Sequence, residues 1–144
     1  MSSVLSNPSR VVGIHFFNPA HVISTVEVIY GDKTSGEAVA TAFSVCQAMK
    51  KVPVLVGNCP NFVFNRLLAV YLSQAHKLLW QYGMSPKDVD QIVTSFGFLM
   101  GPITMHDMNG LDIGAKVKQA HNVELNLIEK TLLDRNRLGR KNGT

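Results

Sequence analysis

Two hydrophobic periods divide this chain. Residues 11–17 (VVGIHFF) are β-branched and aromatic and stop at Asn18-Pro19, which predicts a strand. Residues 25–30 (TVEVIY) alternate, with Val26, Val28 and Tyr30 on one face and Thr25, Glu27 and Ile29 on the other. Thr34-Ser35-Gly36-Glu37 has the spacing of a capping box. The helix it opens carries Val39, Ala42, Phe43, Cys46 and Met49 at helical spacing, and a third strand, residues 52–56, follows.

From Gly57-Asn58-Cys59-Pro60 onward the period becomes helical throughout. Pro60 suits a first helical turn, and Phe64, Leu67, Leu68, Tyr71, Ala75, Leu78, Leu79 and Tyr82 trace one face as far as Gly83. Val63, Val70, Leu72 and Trp80 widen that stripe, so this helix needs cover on most sides. Ser85-Pro86-Lys87-Asp88 starts a second helix, with Val89, Ile92, Val93 and Phe96 as its buried face and Gly97 as its stop. A short helical turn over 101–109 and amphipathic helices over 112–121 and 124–135 complete the pattern, the last using Leu125, Ile128 and Leu132. The expected fold is α+β: three strands and a helix in residues 1–58, then an all-helical domain over 59–144.

Composition narrows the class. Apolar residues make up 46% of the 144, enough for a proper core. The formal charge of +4 is concentrated in Arg135, Arg137, Arg140 and Lys141, with no basic stripe or interleaved aromatics, so nucleic acid is not expected as a partner. Two cysteines cannot make a disulfide framework, and no apolar run approaches the roughly 20 residues of a membrane span. His21, His76, His106 and His121 lack metal-ligand spacing, and Met100, Met105 and Met108 read as core fillers.

The candidate chemistry is a histidine and a carboxylate on neighbouring strands. If those strands pair, His15 and Glu27 can meet, and a carboxylate beside an imidazole fixes its tautomer and stabilises the imidazolium. Spacing alone leaves open a histidine that is merely hydrogen-bonded at a strand end. Asn65, early in the long helix, either serves a substrate oxygen or satisfies a nearby backbone group.

His15-Phe16-Phe17-Asn18-Pro19-Ala20 followed by Val26-Glu27-Val28 resembles the signature of the L-3-hydroxyacyl-CoA dehydrogenases. Asn58 to Arg66, Phe96 to Pro102 with Gly110-Leu111-Asp112, and Leu138 to Gly143 are similar to that family's later landmarks, in order. Val56 to Cys59 and Phe96 to Pro102 look most like its peroxisomal multifunctional branch. The resemblance implies that the three strands close a Rossmann-type sheet. It makes His15 the general base for the substrate's 3-hydroxyl, with Glu27 orienting it and Asn65 holding the substrate oxygen or the histidine. It further implies NAD as cofactor, an acyl-CoA substrate, and a homodimer through the helices over 60–82 and 112–133. A peroxisomal site is expected, with the mitochondrial matrix as the alternative. Asn61 stands where the family has glycine, and no glycine-rich phosphate turn occurs in the chain. The chain is therefore expected to be a piece of a longer enzyme, inactive alone. A non-catalytic helical association module, or a crystallin-like or hydroxybutyryl-CoA relative, is the competing expectation.

Overall fold

The computed structural model describes residues 4–120 and 122–143. The chain forms two compact units that divide after Leu67.

The first unit holds strands β1 (Gly13–Phe16), β2 (Thr25–Tyr30) and β3 (Val52–Gly57), with helix α1 (Gly36–Ala48) between the last two. The sheet order is β1-β2-β3; β1 runs antiparallel to β2, and β3 parallel to it. A parallel return requires a crossover, which α1 supplies. Its N-cap is Ser35, whose hydroxyl accepts from the Ala38 N–H. Alternation then decides the faces. Val26 and Val28 are fully buried against Ala42 and Cys46 of α1, with Val12, Ile14 and Phe43 packed around them. Met49, expected on this buried face, is exposed because it lies past the helix end as its C-cap. The opposite face of the sheet carries His15 and Glu27, which the register sets directly across from each other.

The long helix α2 (Phe64–Trp80) starts four residues later than Pro60 suggests. Asn61 and Phe62 have positive φ, +63° and +49°, and left-handed backbone cannot continue into an α-helix. Tyr82 lies beyond the helix and is exposed.

The second unit adds α3 (Pro86–Phe96), α4 (Pro102–Asn109), α5 (Leu111–Ala120) and α6 (Leu127–Asp134). On α3 only Val89 of the four expected core residues is fully buried; Val93 is half-buried, while Ile92 and Phe96 are exposed. The apolar stripe is real, but these residues have little of this chain's own surface against them. Met100 is likewise exposed, whereas Met105 and Met108 are half-buried. His121, expected to end the 112–121 helix, lies outside the described residues.

One landmark glycine has a steric explanation. Asp90 of α3 accepts hydrogen bonds from the Ile103 N–H (2.8 Å), the Thr104 N–H (2.9 Å) and the Thr104 hydroxyl (2.6 Å), capping α4 with a carboxylate. A Cβ on Gly101 would collide with that carboxylate. The φ of Gly101, −72°, would suit alanine, so space alone forbids it. Gly101→Ala should cost about 1–3 kcal/mol, as overpacking does; an unchanged urea midpoint would show that Asp90 can move aside.

Candidate functional site

His15 and Glu27 meet as the sequence predicts. Directly opposed residues of an antiparallel pair project to the same side within side-chain reach. His15 Nδ1 lies 2.7 Å from Glu27 Oε2. Glu27 is only 3% exposed, while the His15 side chain remains 29% exposed, so the carboxylate is sealed and the imidazole is reachable. An ionised carboxylate only accepts, so Nδ1 must carry the proton and donate it to Oε2. Nε2 is then left with a lone pair.

The other oxygen of Glu27 is also engaged. Oε1 accepts from the N–H groups of Val63 (3.1 Å) and Phe64 (2.9 Å), at the start of α2. These amides have no partner inside the helix, and the positive end of the helix favours an anion there. Burial pushes the Glu27 carboxyl upward. The hydrogen bonds from His15, Phe64 and Val63 and the charge of His15 outweigh it, holding the group below its ordinary value. Glu27 is thus an anion bonded by three donors. The two backbone donors are invisible in the pattern of side chains, because they depend on where α2 begins.

Aromatic rings line the dyad. Phe17 meets the His15 ring edge-on at 5.0 Å, Phe62 tilts against it at 5.6 Å, and Phe64 packs on Phe17 at 4.4 Å. They restrict the imidazole's freedom to rotate. Asn65, one residue past Phe64, is half-buried and makes no side-chain hydrogen bond among the described residues. It is not bonded to His15 or Glu27, so the expectation that it holds the histidine finds no contact here.

The residues present do not fit a dinucleotide pyrophosphate. Such a group needs a glycine-rich turn and an open helix N-terminus. The N-terminus of α1 is occupied by the Ser35 hydroxyl with Glu37 in its first turn, and that of α2 by Glu27. No group of three or more metal-ligating side chains is found among the described residues.

A second polar cluster, inside the helical unit, was not foreseen. His76 of α2 and His106 of α4 stack at 5.2 Å, with His106 Nδ1 3.3 Å from His76 Nε2. His76 Nδ1 lies 3.2 Å from the Asn126 side-chain amide. Asn126 forms a reciprocal capping box with Glu129 at the start of α6, and Lys118 of α5 donates to both Glu129 oxygens at 2.7 Å. The Asn126-x-x-Glu129 spacing was the available signal.

The description "3-hydroxyacyl-CoA dehydrogenase, NAD binding domain" matches residues 1–59, and "3-hydroxyacyl-CoA dehydrogenase, C-terminal domain" matches residues 62–144. The chain is 43% identical over 141 residues to a peroxisomal bifunctional enzyme of Danio rerio, covering 98% of this chain and 20% of that protein. It is 40% identical over 155 residues to the fatty acid oxidation complex subunit alpha of a Psychrobacter strain, covering 99% and 21%. It thus spans about a fifth of the length of these curated relatives. Among solved structures, the dehydrogenase part of multifunctional enzyme 1 from C. elegans is 57% identical with a TM-score of 0.76, covering 99% of this chain and 33% of that one. The 3-hydroxybutyryl-CoA dehydrogenase of Escherichia coli is 33% identical with a TM-score of 0.87, covering 99% and 32%. The three-stranded sheet is the end of a Rossmann-type domain, the helices after it are the family's C-terminal domain, and the chain belongs to the 3-hydroxyacyl-CoA dehydrogenase family.

Proposed function

We propose that this chain supplies the proton-handling part of an NAD-dependent enzyme that oxidises L-3-hydroxyacyl-CoA to 3-ketoacyl-CoA in fatty-acid β-oxidation. The observation that carries this reading is the 2.7 Å contact between His15 Nδ1 and a Glu27 carboxylate anchored by two backbone amides. With its proton fixed on Nδ1, His15 presents Nε2 as the base. The 3-hydroxyl proton passes to Nε2, and Glu27 stabilises the imidazolium that forms. Asn65, with its amide unengaged, holds the substrate oxygen. The redox half, hydride transfer to NAD, lies outside what these residues supply. We place the division between the part that matches the NAD binding domain and the helical domain after residue 58.

Glu27→Gln in the intact enzyme tests the reading. A neutral amide no longer stabilises the imidazolium, so turnover should fall about 10²-fold, the lower end of general acid-base effects. Wild-type turnover, followed as NADH absorbance, would remove the dyad from the mechanism. Residues 1–144 alone should show no saturable NAD binding by calorimetry at micromolar concentration, since they offer no pyrophosphate cradle; binding there would overturn that expectation.

Val70 and Trp80 on α2 and Ile113 and Val117 on α5 are exposed apolar residues. On that observation we propose a homodimer through the helices over 60–82 and 112–133, burying more than the ~1,000 Å² of a specific contact. A monomeric mass by light scattering at tens of micromolar would contradict it. The peroxisomal relatives favour a peroxisomal location over the mitochondrial matrix, although bacterial relatives carry the same domain pair.

A further inference from the structure

We infer that Asn61 is a positioning residue for the proposed reaction, acting through the start of α2 on Glu27 and through Glu27 on His15. This rests on the reading of His15 as the base.

The link is continuous in the structure. After β3 the chain is tied back to the sheet by the Asn58 N–H, which donates to the Tyr30 carbonyl at 2.9 Å. Cys59 to Phe62 then forms a turn, with the Phe62 N–H donating to the Cys59 carbonyl at 3.1 Å. Within it Asn61 (φ +63°) and Phe62 (φ +49°) are both left-handed, an arrangement rarely adopted by residues with a Cβ. The next two amides, Val63 and Phe64, are those that bond Glu27 Oε1. A right-handed or extended residue at 61 would aim these amides elsewhere. Among residues with a Cβ, asparagine and aspartate tolerate the left-handed region best, because their short polar groups bond locally. Phe62 contributes its ring to the wall beside His15, so its own backbone strain must be supported by its neighbours. Asn61 is the position at which the turn can be tested without disturbing that wall.

The test uses Asn61→Val, with Asn61→Ala should the valine variant fail to fold, and Asn61→Gly as the permissive control, all in the intact enzyme. Glycine adopts positive φ freely and should keep wild-type turnover. Valine or alanine should lower kcat at least 10-fold with KM little changed, since misplacing a catalytic group by about 1 Å can cost on the order of 10²-fold. In those variants the Glu27 carboxyl, followed by ¹³C NMR, should titrate higher, toward an ordinary glutamate, because two of its donors have moved. A purely structural role would leave that titration unmoved. In a Glu27→Gln background, Asn61→Val should have little further effect on kcat. Wild-type kcat in Asn61→Val, or an equal loss in both backgrounds, overturns the inference. If His15→Gln abolishes turnover while Asn61→Val leaves it intact, the base assignment stands and this inference alone falls. If His15→Gln turns over normally, the base assignment itself falls.

Discussion

His15→Gln in the intact enzyme is expected to lower kcat by about 10²–10⁴, the usual range for removing a general base, with KM nearly unchanged. The pattern matters as much as the size. His15 is expected to take a proton only as the substrate's O–H bond breaks, so its loss should weaken the transition state and leave ground-state binding alone. Glutamine keeps a similar size and can still donate to Glu27, so the aromatic wall of Phe17, Phe62 and Phe64 should stay in place. A large rise in KM with kcat preserved would instead make His15 a binding residue.

The second large effect concerns stability. Glu129 is 5% exposed and takes both bonds of Lys118, the Asn126 N–H, and a contact with His76 Nδ1 at 3.7 Å. Glu129→Leu removes the capping box of α6 and leaves Lys118 without its anion. Breaking such a pair from one side should cost about 3 kcal/mol, the lower end of the range because a third of the Lys118 side chain is in solvent. For a unit of this size that lowers Tm by more than ~10 °C. A Tm within 3 °C or so of wild type would mean the network contributes little.

The same cluster sets a pH dependence. Burial pushes His76 below its ordinary value of 6.5, with Lys118 acting in the same direction and Glu129 opposing. Burial also depresses His106, helped by His76 and Lys118 against Glu129. Both folded values are lowered, so their stabilisation is complete above the unfolded value and lost as pH falls. The loss should therefore begin below about pH 6.5 and continue down through the folded values. For Glu129, burial raises the carboxyl, but the bonds from Lys118 and Asn126 and the charges of Lys118 and His76 bring it below 4.5. Its contribution disappears at lower pH still. Replacing His76 with glutamine should flatten the first part of the profile.

The sheet was legible because period-2 alternation carries both the strand and the face. Alternation sets Val26 and Val28 apart from Glu27, and the pairing of β1 with β2 then brings His15 to Glu27 on the face away from α1. Three things were not legible. Pro60 favours a first helical turn, but that preference is weaker than the two left-handed residues at 61 and 62, so α2 starts at Phe64. The apparent departure from the family at Asn61 is explained by its φ, since asparagine can occupy a left-handed position that suits glycine. The exposure of Ile92 and Phe96 on α3 is not in the pattern either, because an apolar stripe reports what a helix could bury, not what this chain has to cover it with. Asn126 and Glu129 carried a visible capping signal. That signal says nothing about which distant side chains, here Lys118 and His76, complete the network.

The most direct measurement of the central claim is the tautomer of His15, read from long-range ¹H–¹⁵N couplings of the imidazole in the intact enzyme. The dyad requires the neutral ring to carry its proton on Nδ1, hydrogen-bonded to Glu27, with Nε2 giving the downfield shift of an unprotonated nitrogen. Glu27→Gln should abolish that fixed preference. A ring protonated on Nε2, or a tautomer ratio unmoved by Glu27→Gln, would contradict the assignment of His15 as a base oriented by Glu27.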